Sequence, residues 1–176
     1  NIFQDLGRID EAIEIFLKAL TINPDIPEIY SNLGYCFHKK NLIEQAIRAL
    51  NQSLSFNPNF YQPYLNMGNI LTQQGKIVEG IEMYNKALAI KPDFEAVRSQ
   101  KLHHLANLCD WKSIEEDSLL IPKLGIQKQF VTPWSVLSLE DDPKNHKKRS
   151  EIRGKSKFPQ KPIPFNISLS NEKKQI

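Results

Sequence analysis

The sequence has few residues that could cross-link a small protein. Only two of its 176 residues are cysteines, Cys36 and Cys109. Two cysteines are too few for a disulfide framework, and neither has a partner at the spacing of metal ligands. A reducing compartment, the cytoplasm, is therefore the expected location. No base lies beside Cys109 in the sequence, so we expect a packed thiol there and not a nucleophile.

Apolar runs and catalytic motifs are also missing. No run of about 18 apolar residues and no signal peptide is found, so no segment is expected to enter a membrane. His103 and His104 are adjacent, and hence face different sides of a helix. The acidic cluster Glu140–Asp142 is typical of a helix N-terminus. Without a Gly-rich phosphate loop, a Ser/His/Asp set or a metal spacing, we predict no catalytic residue, cofactor or metal in this chain.

What the sequence does contain is a repeat. Pro24, Pro58 and Pro92 are 34 residues apart. The same step relates Tyr30 to Tyr64, Leu33 to Met67, Gly34 to Gly68, and Ala12 to Ala46 and Gly80. This period, with small residues, aromatics and a closing proline at fixed offsets, is typical of tetratricopeptide (TPR) repeats. It predicts an all-α superhelical solenoid of antiparallel helix pairs.

Steric packing explains these positions. A side chain at Gly34 or Gly68 would hold the two helices of a pair apart. The apolar stripe beside each glycine has helical spacing, and it consists of Tyr30, Leu33 and Phe37 in one unit and Tyr64, Met67 and Leu71 in the next. No unit buries its apolar face alone, so stacking is required.

The pattern also predicts the boundaries of the segments. Residues 1–94 form the repeats, the first of them truncated, with a helix stub that ends at Gly7 and a partner helix at 10–22 in which Ile13, Phe16, Leu17 and Leu20 are buried. Further helices are expected at 27–40, 42–56, 61–74 and 77–90. Residues 95–109 form a divergent capping helix, because the repeat pattern stops at Arg98, Lys101 and Leu102. Residues 110–164 form a helical region, with a short helix that begins at Asp110 or Ser113 and ends at Leu120, a helical turn from Thr132 and a helix at 143–157. Residues 165–176 form a flexible tail.

A binding groove is predicted along the first helices of the pairs. Asn32 and Asn66 occupy the same repeat position, opposite the apolar stripe, and a row of carboxamides can pair with the backbone of an extended peptide. Neighbouring groove positions are Glu28, Tyr35, Lys39, Gln62, Asn69 and Gln73. Their charges are mixed, so no class of charged ligand is favoured. The alternative is that the asparagines are ordinary surface residues.

Charge is distributed unevenly. Residues 1–94 have a net charge of −2 and residues 95–176 one of +5. Eight basic residues lie between Lys144 and Lys161, with Glu151 as the only acidic one. This block is either a solvated helix face or a surface for phosphate or an acidic partner.

The second half resembles a specific family. It resembles the protein O-GlcNAc transferase and SPINDLY-like glycosyltransferases in four successive runs. These are Lys91-Pro-Asp-Phe94, Cys109-Asp-Trp111 before an acidic segment, TPWSVLSLEDDP (132–143) and KFPQKPIP (157–164). The resemblance implies an asparagine ladder for acceptor proteins at Asn32 and Asn66, which ends at Gln100. It also implies catalytic lobes beyond Ile176 that use a UDP-sugar, with Trp111, Phe130 and Trp134 as apolar anchors of the junction.

Three hypotheses follow. The first is the repeat and linker fragment of such a transferase, which holds the acceptor protein and is not itself catalytic. The second is a stand-alone TPR adaptor that binds a protein or peptide in its groove. The third is a binder of RNA or another anionic surface through Lys144–Lys161. Because the chain begins at Asn1 within a repeat, we expect it to be a fragment.

Overall fold

The computed structural model describes residues 2–117, 119–126, 139 and 142–157, with side chains from residue 7 to residue 152 of those ranges. The regular structure there is helical, as predicted: α1 (Ile2–Ile22), α2 (Pro27–Lys39), α3 (Ile43–Phe56), α4 (Tyr61–Gln73), α5 (Ile77–Ile90), α6 (Glu95–Asn107), α7 (Trp111–Glu115), a 3₁₀ turn at Ile121–Lys123, and α8 (Pro143–Lys157). The ends of α2 to α5 lie within one residue of their predicted positions, whereas α6 ends two residues before the predicted position 109. Among the described residues, no helix combines the length and the apolar character needed to cross a bilayer.

Glycine sets the distance between the helices of each pair, as predicted. A Cβ added to Gly34 would lie 2.6 Å from Leu50 in α3, and one added to Gly68 would lie 2.6 Å from the Tyr84 ring in α5. Leu50 and Tyr84 are buried, with 0% and 1% of their surfaces exposed. The pairs α2/α3 and α4/α5 therefore pack with almost no space at the crossing.

The turn inside each pair also repeats every 34 residues. Asn41, Gly75 and Cys109 occupy it with φ of 60°, 80° and 55°, in the left-handed region. The same backbone bond closes each turn, from Leu42 N to Phe37 O (2.8 Å), from Lys76 N to Leu71 O (2.9 Å) and from Asp110 N to Leu105 O (3.0 Å). The side-chain pattern stops at α6, as expected, but a third turn of the same kind joins α6 to α7.

The packing of α6 explains why its side chains lost the repeat pattern. Arg98 and Lys101 stand where the earlier units have apolar residues, and both form ion pairs with Asp117 (Lys101 Nζ to Asp117 Oδ2, 2.9 Å). The three side chains retain only 13%, 10% and 8% of their exposed surface. A buried carboxylate thus replaces the apolar contact, while Leu102 and Leu105 remain in the core.

The prediction for α1 is wrong. It is one continuous helix, not a stub that ends at Gly7 and a partner helix. A Cβ at Gly7 would meet nothing within 4 Å, so no packing contact favours a turn there over the helix. Leu17, predicted to be buried, is 49% exposed, while Ile13, Phe16 and Leu20 are partly buried.

The segment after α6 is attached by polar contacts. Asp110 caps α7, because its carboxylate accepts hydrogen bonds from Ser113 N (3.2 Å) and Ser113 Oγ (2.6 Å). Side-chain bonding to Ser113 also lowers the pKa of Asp110. Of the two predicted starts, Asp110 is therefore the correct one, and the helix begins at Trp111. It ends at Glu115 and not at Leu120, and turns follow the short α7.

Helix α8 has its predicted bounds and its predicted cap. Asp142 accepts a hydrogen bond from Lys144 N at 2.9 Å. Arg149 is 1% exposed, and it donates to the carbonyl oxygens of Leu124 (2.7 Å) and Ile121 (3.0 Å). The α8 helix is therefore tied to the 3₁₀ turn by a buried guanidinium.

Trp111 is 56% exposed at the first turn of the short α7, and its role as an anchor of the junction stays a prediction. The expectation for Cys109 is wrong. Cys109 is exposed and not packed, because the left-handed turn projects it outward. Both cysteines are free thiols, and burial raises the pKa of Cys36. The predictions for Phe130, Thr132, Trp134, Glu140, Asp141 and 165–176 concern residues outside the described ranges.

Candidate functional site

The predicted groove residues form polar stripes on neighbouring helices. On α2, Glu28, Asn32, Tyr35 and Lys39 are all exposed, at the spacing i, i+4, i+7, i+11 of one helix face. Leu33 and Gly34 lie on the opposite face and are buried. The helical period that buries the apolar stripe therefore turns these four residues outward.

The second stripe lies at the same positions of α4. Gln62, Asn66 and Asn69 are partly exposed and Gln73 is exposed. Two side chains join the stripes where α2 and α4 end, since His38 Nε2 lies 2.7 Å from Gln73 Oε1. The structure thus brings together the six residues predicted for the groove, Glu28, Asn32, Tyr35, Gln62, Asn66 and Asn69, on two adjacent helices.

A third stripe on α6 was missed by the sequence analysis, apart from Gln100. Gln100, His103 and Asn107 are exposed there, and Asn107 Nδ2 lies 3.3 Å from His103 Nε2. The Tyr61 and Phe94 rings, with centroids 5.5 Å apart, link the start of α6 to α4. The signal that could have revealed this stripe was the 34-residue step from Asn66 to Gln100. We call the three stripes together the amide face.

The electrostatics of the amide face are nearly neutral. Its charged residues are Glu28 and Lys39, near opposite ends of α2, and Lys39 Nζ lies 5.4 Å from the centroid of the Tyr35 ring. Next to the third stripe, His104 stacks on Tyr84 with ring centroids 6.1 Å apart. Burial, and then the charge of His103, lower the pKa of His104. The face therefore offers mostly neutral donors and acceptors.

We find no constellation for catalysis or metal binding in the described part of the chain. No group of three or more His, Cys, Asp or Glu there could hold a metal ion. The basic segment divides into two kinds of residue: Arg149 is buried, whereas Lys144, Lys147 and Lys148 are exposed. Whether those lysines meet an anionic partner stays a prediction, which steep salt dependence of RNA binding would support.

Comparisons with known proteins identify the repeats. Residues 1–41 match a family model described as TPR repeat, and residues 27–60 and 61–94 each match one described as Tetratricopeptide repeat. Two solved structures titled as crystal structures of MamA are similar, both with 21% identity. One has a TM-score of 0.51 over 88% of this chain and 74% of the MamA chain, and the other 0.50 over 92% and 74%.

At that identity, the likeness to MamA shows the fold alone. No curated protein sequence matches the chain. Neither the family models nor the two MamA structures support the predicted glycosyltransferase assignment.

Proposed function

The chain belongs to the tetratricopeptide repeat family over residues 1–94, and from this we propose that it is a protein-interaction adaptor whose amide face binds an extended segment of a partner protein. The stand-alone TPR adaptor, which was the second of the three hypotheses from the sequence, is therefore the function that we favour. We also propose a cytoplasmic location, on the basis of the two free thiols.

The observation that carries the proposal is the row of carboxamides at Asn32, Asn66 and Gln100, one on each of α2, α4 and α6, of which α2 packs on α4. Packed helices lie about 8–10 Å apart, and an extended chain advances about 3.3 Å per residue. The step from Asn32 to Asn66 therefore matches about three residues of a bound segment. A carboxamide can both donate to and accept from a peptide group, so such a row would grip the backbone at regular intervals without reading side chains.

The small charge of the amide face limits the kind of protein segment that it can bind. Each neutral hydrogen bond contributes only about 1 kcal/mol net, so the affinity has to come from hydrogen bonds at several positions of the amide face together. With only Glu28 and Lys39 charged, the face supplies no cluster of cations for a carboxylate or phosphate. The segment we propose is extended, uncharged for most of its length, and bound with little dependence on salt.

Selection of peptides tests this proposal. Twelve-residue peptides would be selected from a random display library against the full chain, and their affinities measured by fluorescence anisotropy. We expect Asn32→Ala, Asn66→Ala and Gln100→Ala each to weaken binding about five-fold, which corresponds to about 1 kcal/mol. Asn51→Ala and Asn85→Ala serve as matched controls, because both residues are exposed but lie on α3 and α5. Selected peptides that bind the triple variant as well as the original chain would exclude the amide face.

A glycosyltransferase parent is the second proposal. Its support is the sequence resemblance at 132–143 and 157–164, most of which lies outside the described residues. The structure gives Cys109 and Asp110 another role, because Cys109 is the turn residue of a repeat and Asp110 is a helix cap. If the resemblance reflects ancestry, a UDP-sugar site, for GlcNAc or fucose, would be encoded after Ile176. Absence of such a sequence in the gene, or sugar transfer from UDP-GlcNAc by these 176 residues alone, would contradict this proposal.

A further inference from the structure

Tyr84 is a buried polar residue that reaches the amide face from behind. It lies on α5 and is 1% exposed. Its ring edge packs where Gly68 leaves room for it, and its ring face stacks on His104 at an interplanar angle of 14°. The ring is thus held by α4 and by α6, so its hydroxyl has a fixed position.

That hydroxyl is bonded to a residue of the amide face. Tyr84 Oη donates to Asn69 Oδ1 at 2.8 Å and lies 3.3 Å from Thr72 Oγ1. The Thr72 hydroxyl donates to the backbone oxygen of Asn69 at 3.2 Å, so the tyrosine proton is left for the carboxamide. Burial raises the pKa of Tyr84, and the Thr72 bond acts in the opposite direction.

We propose that Tyr84 is a positioning residue of the amide face, which fixes the Asn69 carboxamide so that its Nδ2 hydrogens donate to a backbone carbonyl oxygen of the bound segment. This inference rests on the proposed function. A carboxamide that is free to rotate can present either its oxygen or its Nδ2 hydrogens to a ligand, whereas one whose oxygen is bonded to the Tyr84 hydroxyl is held with its Nδ2 hydrogens turned away from that bond. The bound chain would then have to place a carbonyl group at this row, which sets its register.

The preceding unit cannot do the same. Its equivalents of Asn69 and Tyr84, one repeat earlier, are Tyr35 and Leu50, and leucine has no hydroxyl. The fixed donor is therefore specific to the unit of α4 and α5. The row formed by Tyr35, Asn69 and His103 differs in chemistry from one helix to the next, unlike the row that contains Asn32 and Asn66.

Tyr84→Phe tests the inference, because it keeps the ring and removes the hydroxyl. Tyr64→Phe is the matched control, since the Tyr64 hydroxyl donates to Pro58 O at 3.2 Å, away from Asn69. Peptides selected as above would be synthesised with a thioamide at each position in turn, because sulfur is a weaker acceptor than oxygen. We expect one position at which the thioamide weakens binding about five-fold to the original chain and to Tyr64→Phe, but less than two-fold to Tyr84→Phe.

The Asn69 side chain gives a second measurement that needs no peptide. In NMR spectra of the free protein, we expect slower hydrogen exchange at Asn69 Nδ2 than at Asn32 Nδ2, and loss of that difference in Tyr84→Phe. Asn69→Asp, which exchanges the donor for an acceptor, is expected to weaken binding more than Asn69→Ala.

The outcomes separate the two proposals. If binding depends on Asn32 and Asn66 while Tyr84→Phe and Tyr64→Phe give the same thioamide profile, this inference is wrong and the proposed function stands. The same holds if Asn69→Asp binds as well as the original chain, because the carboxamide would then present its oxygen. If no peptide is selected, or binding ignores Asn32 and Asn66, both proposals fail.

Discussion

Replacement of Gly34 by alanine tests the close packing on which the solenoid depends. The added Cβ would lie 2.6 Å from Leu50 Cγ and Cδ2, about 1 Å inside ordinary contact. Leu50 is fully buried and packs with Ala46 and Ile70, so it has no room to retreat. Overpacking of this kind costs about 1–3 kcal/mol.

The higher helix propensity of alanine offsets part of that cost, and Gly7→Ala measures the effect of helix propensity alone. Alanine in place of a helical glycine stabilises by about 1 kcal/mol, and at Gly7 the new Cβ meets nothing within 4 Å. We therefore expect Gly7→Ala to raise the free energy of unfolding by up to about 1 kcal/mol. For Gly34→Ala we expect a change between no effect and a loss of about 2 kcal/mol. The difference between the two variants, about 1–3 kcal/mol, is the cost of the contact with Leu50.

Urea denaturation, monitored by far-ultraviolet circular dichroism, measures the free energy of unfolding of both variants. Solenoids unfold unit by unit when their cooperativity is weak, so amide hydrogen exchange should be measured as well. We expect Gly34→Ala to lose protection from exchange only in α2, α3 and their neighbours. If the two variants change the free energy of unfolding by the same amount, within about 0.5 kcal/mol, the argument from close packing is refuted.

Three further predictions concern the segment from α6 onward. Asp117→Asn leaves Arg98 and Lys101 buried without their carboxylate, and it is expected to lower the free energy of unfolding in urea by about 3–5 kcal/mol. Glu116→Gln, at the exposed neighbouring position, should change it by less than about 0.5 kcal/mol. Equal effects of the two variants would contradict the role of the ion pairs. Because the pKa of His104 is lowered in the folded protein, the free energy of unfolding should fall as the pH drops below about 6.5. His104→Gln should reduce that fall, and a slope unchanged in His104→Gln would refute this. Arg149→Met should abolish slow amide exchange in α8, since the bonds to Ile121 O and Leu124 O are lost, while Lys148→Met, at an exposed position, should preserve it.

The parts of the fold that follow from local rules were predictable. The ends of α2 to α5 depend on the closing prolines and on the small residues at each helix crossing, all of which recur at one period. Asn32 and Asn66 could be placed opposite the apolar stripe for the same reason, since a helical period fixes both faces at once.

The rest depends on contacts between distant residues. Asp117 is 16 residues beyond Lys101, and nothing in a helical pattern shows that they form an ion pair, so α6 looked like the end of the repeat. The bond from Tyr84 to Asn69 likewise arises only once α5 crosses α4. The anchor role of Trp111 came from a family resemblance and not from packing, and it stays a prediction.

The ion pairs around Asp117 also determine what can follow the solenoid. A stack of repeats that ended in a bare apolar surface would accept the first helix of any other copy, and molecules would join end to end. Here a newcomer that displaced the carboxylate would leave two cations in a dry environment, at a cost of several kcal/mol. The buried charges therefore disfavour end-to-end stacking of copies through this surface of α6.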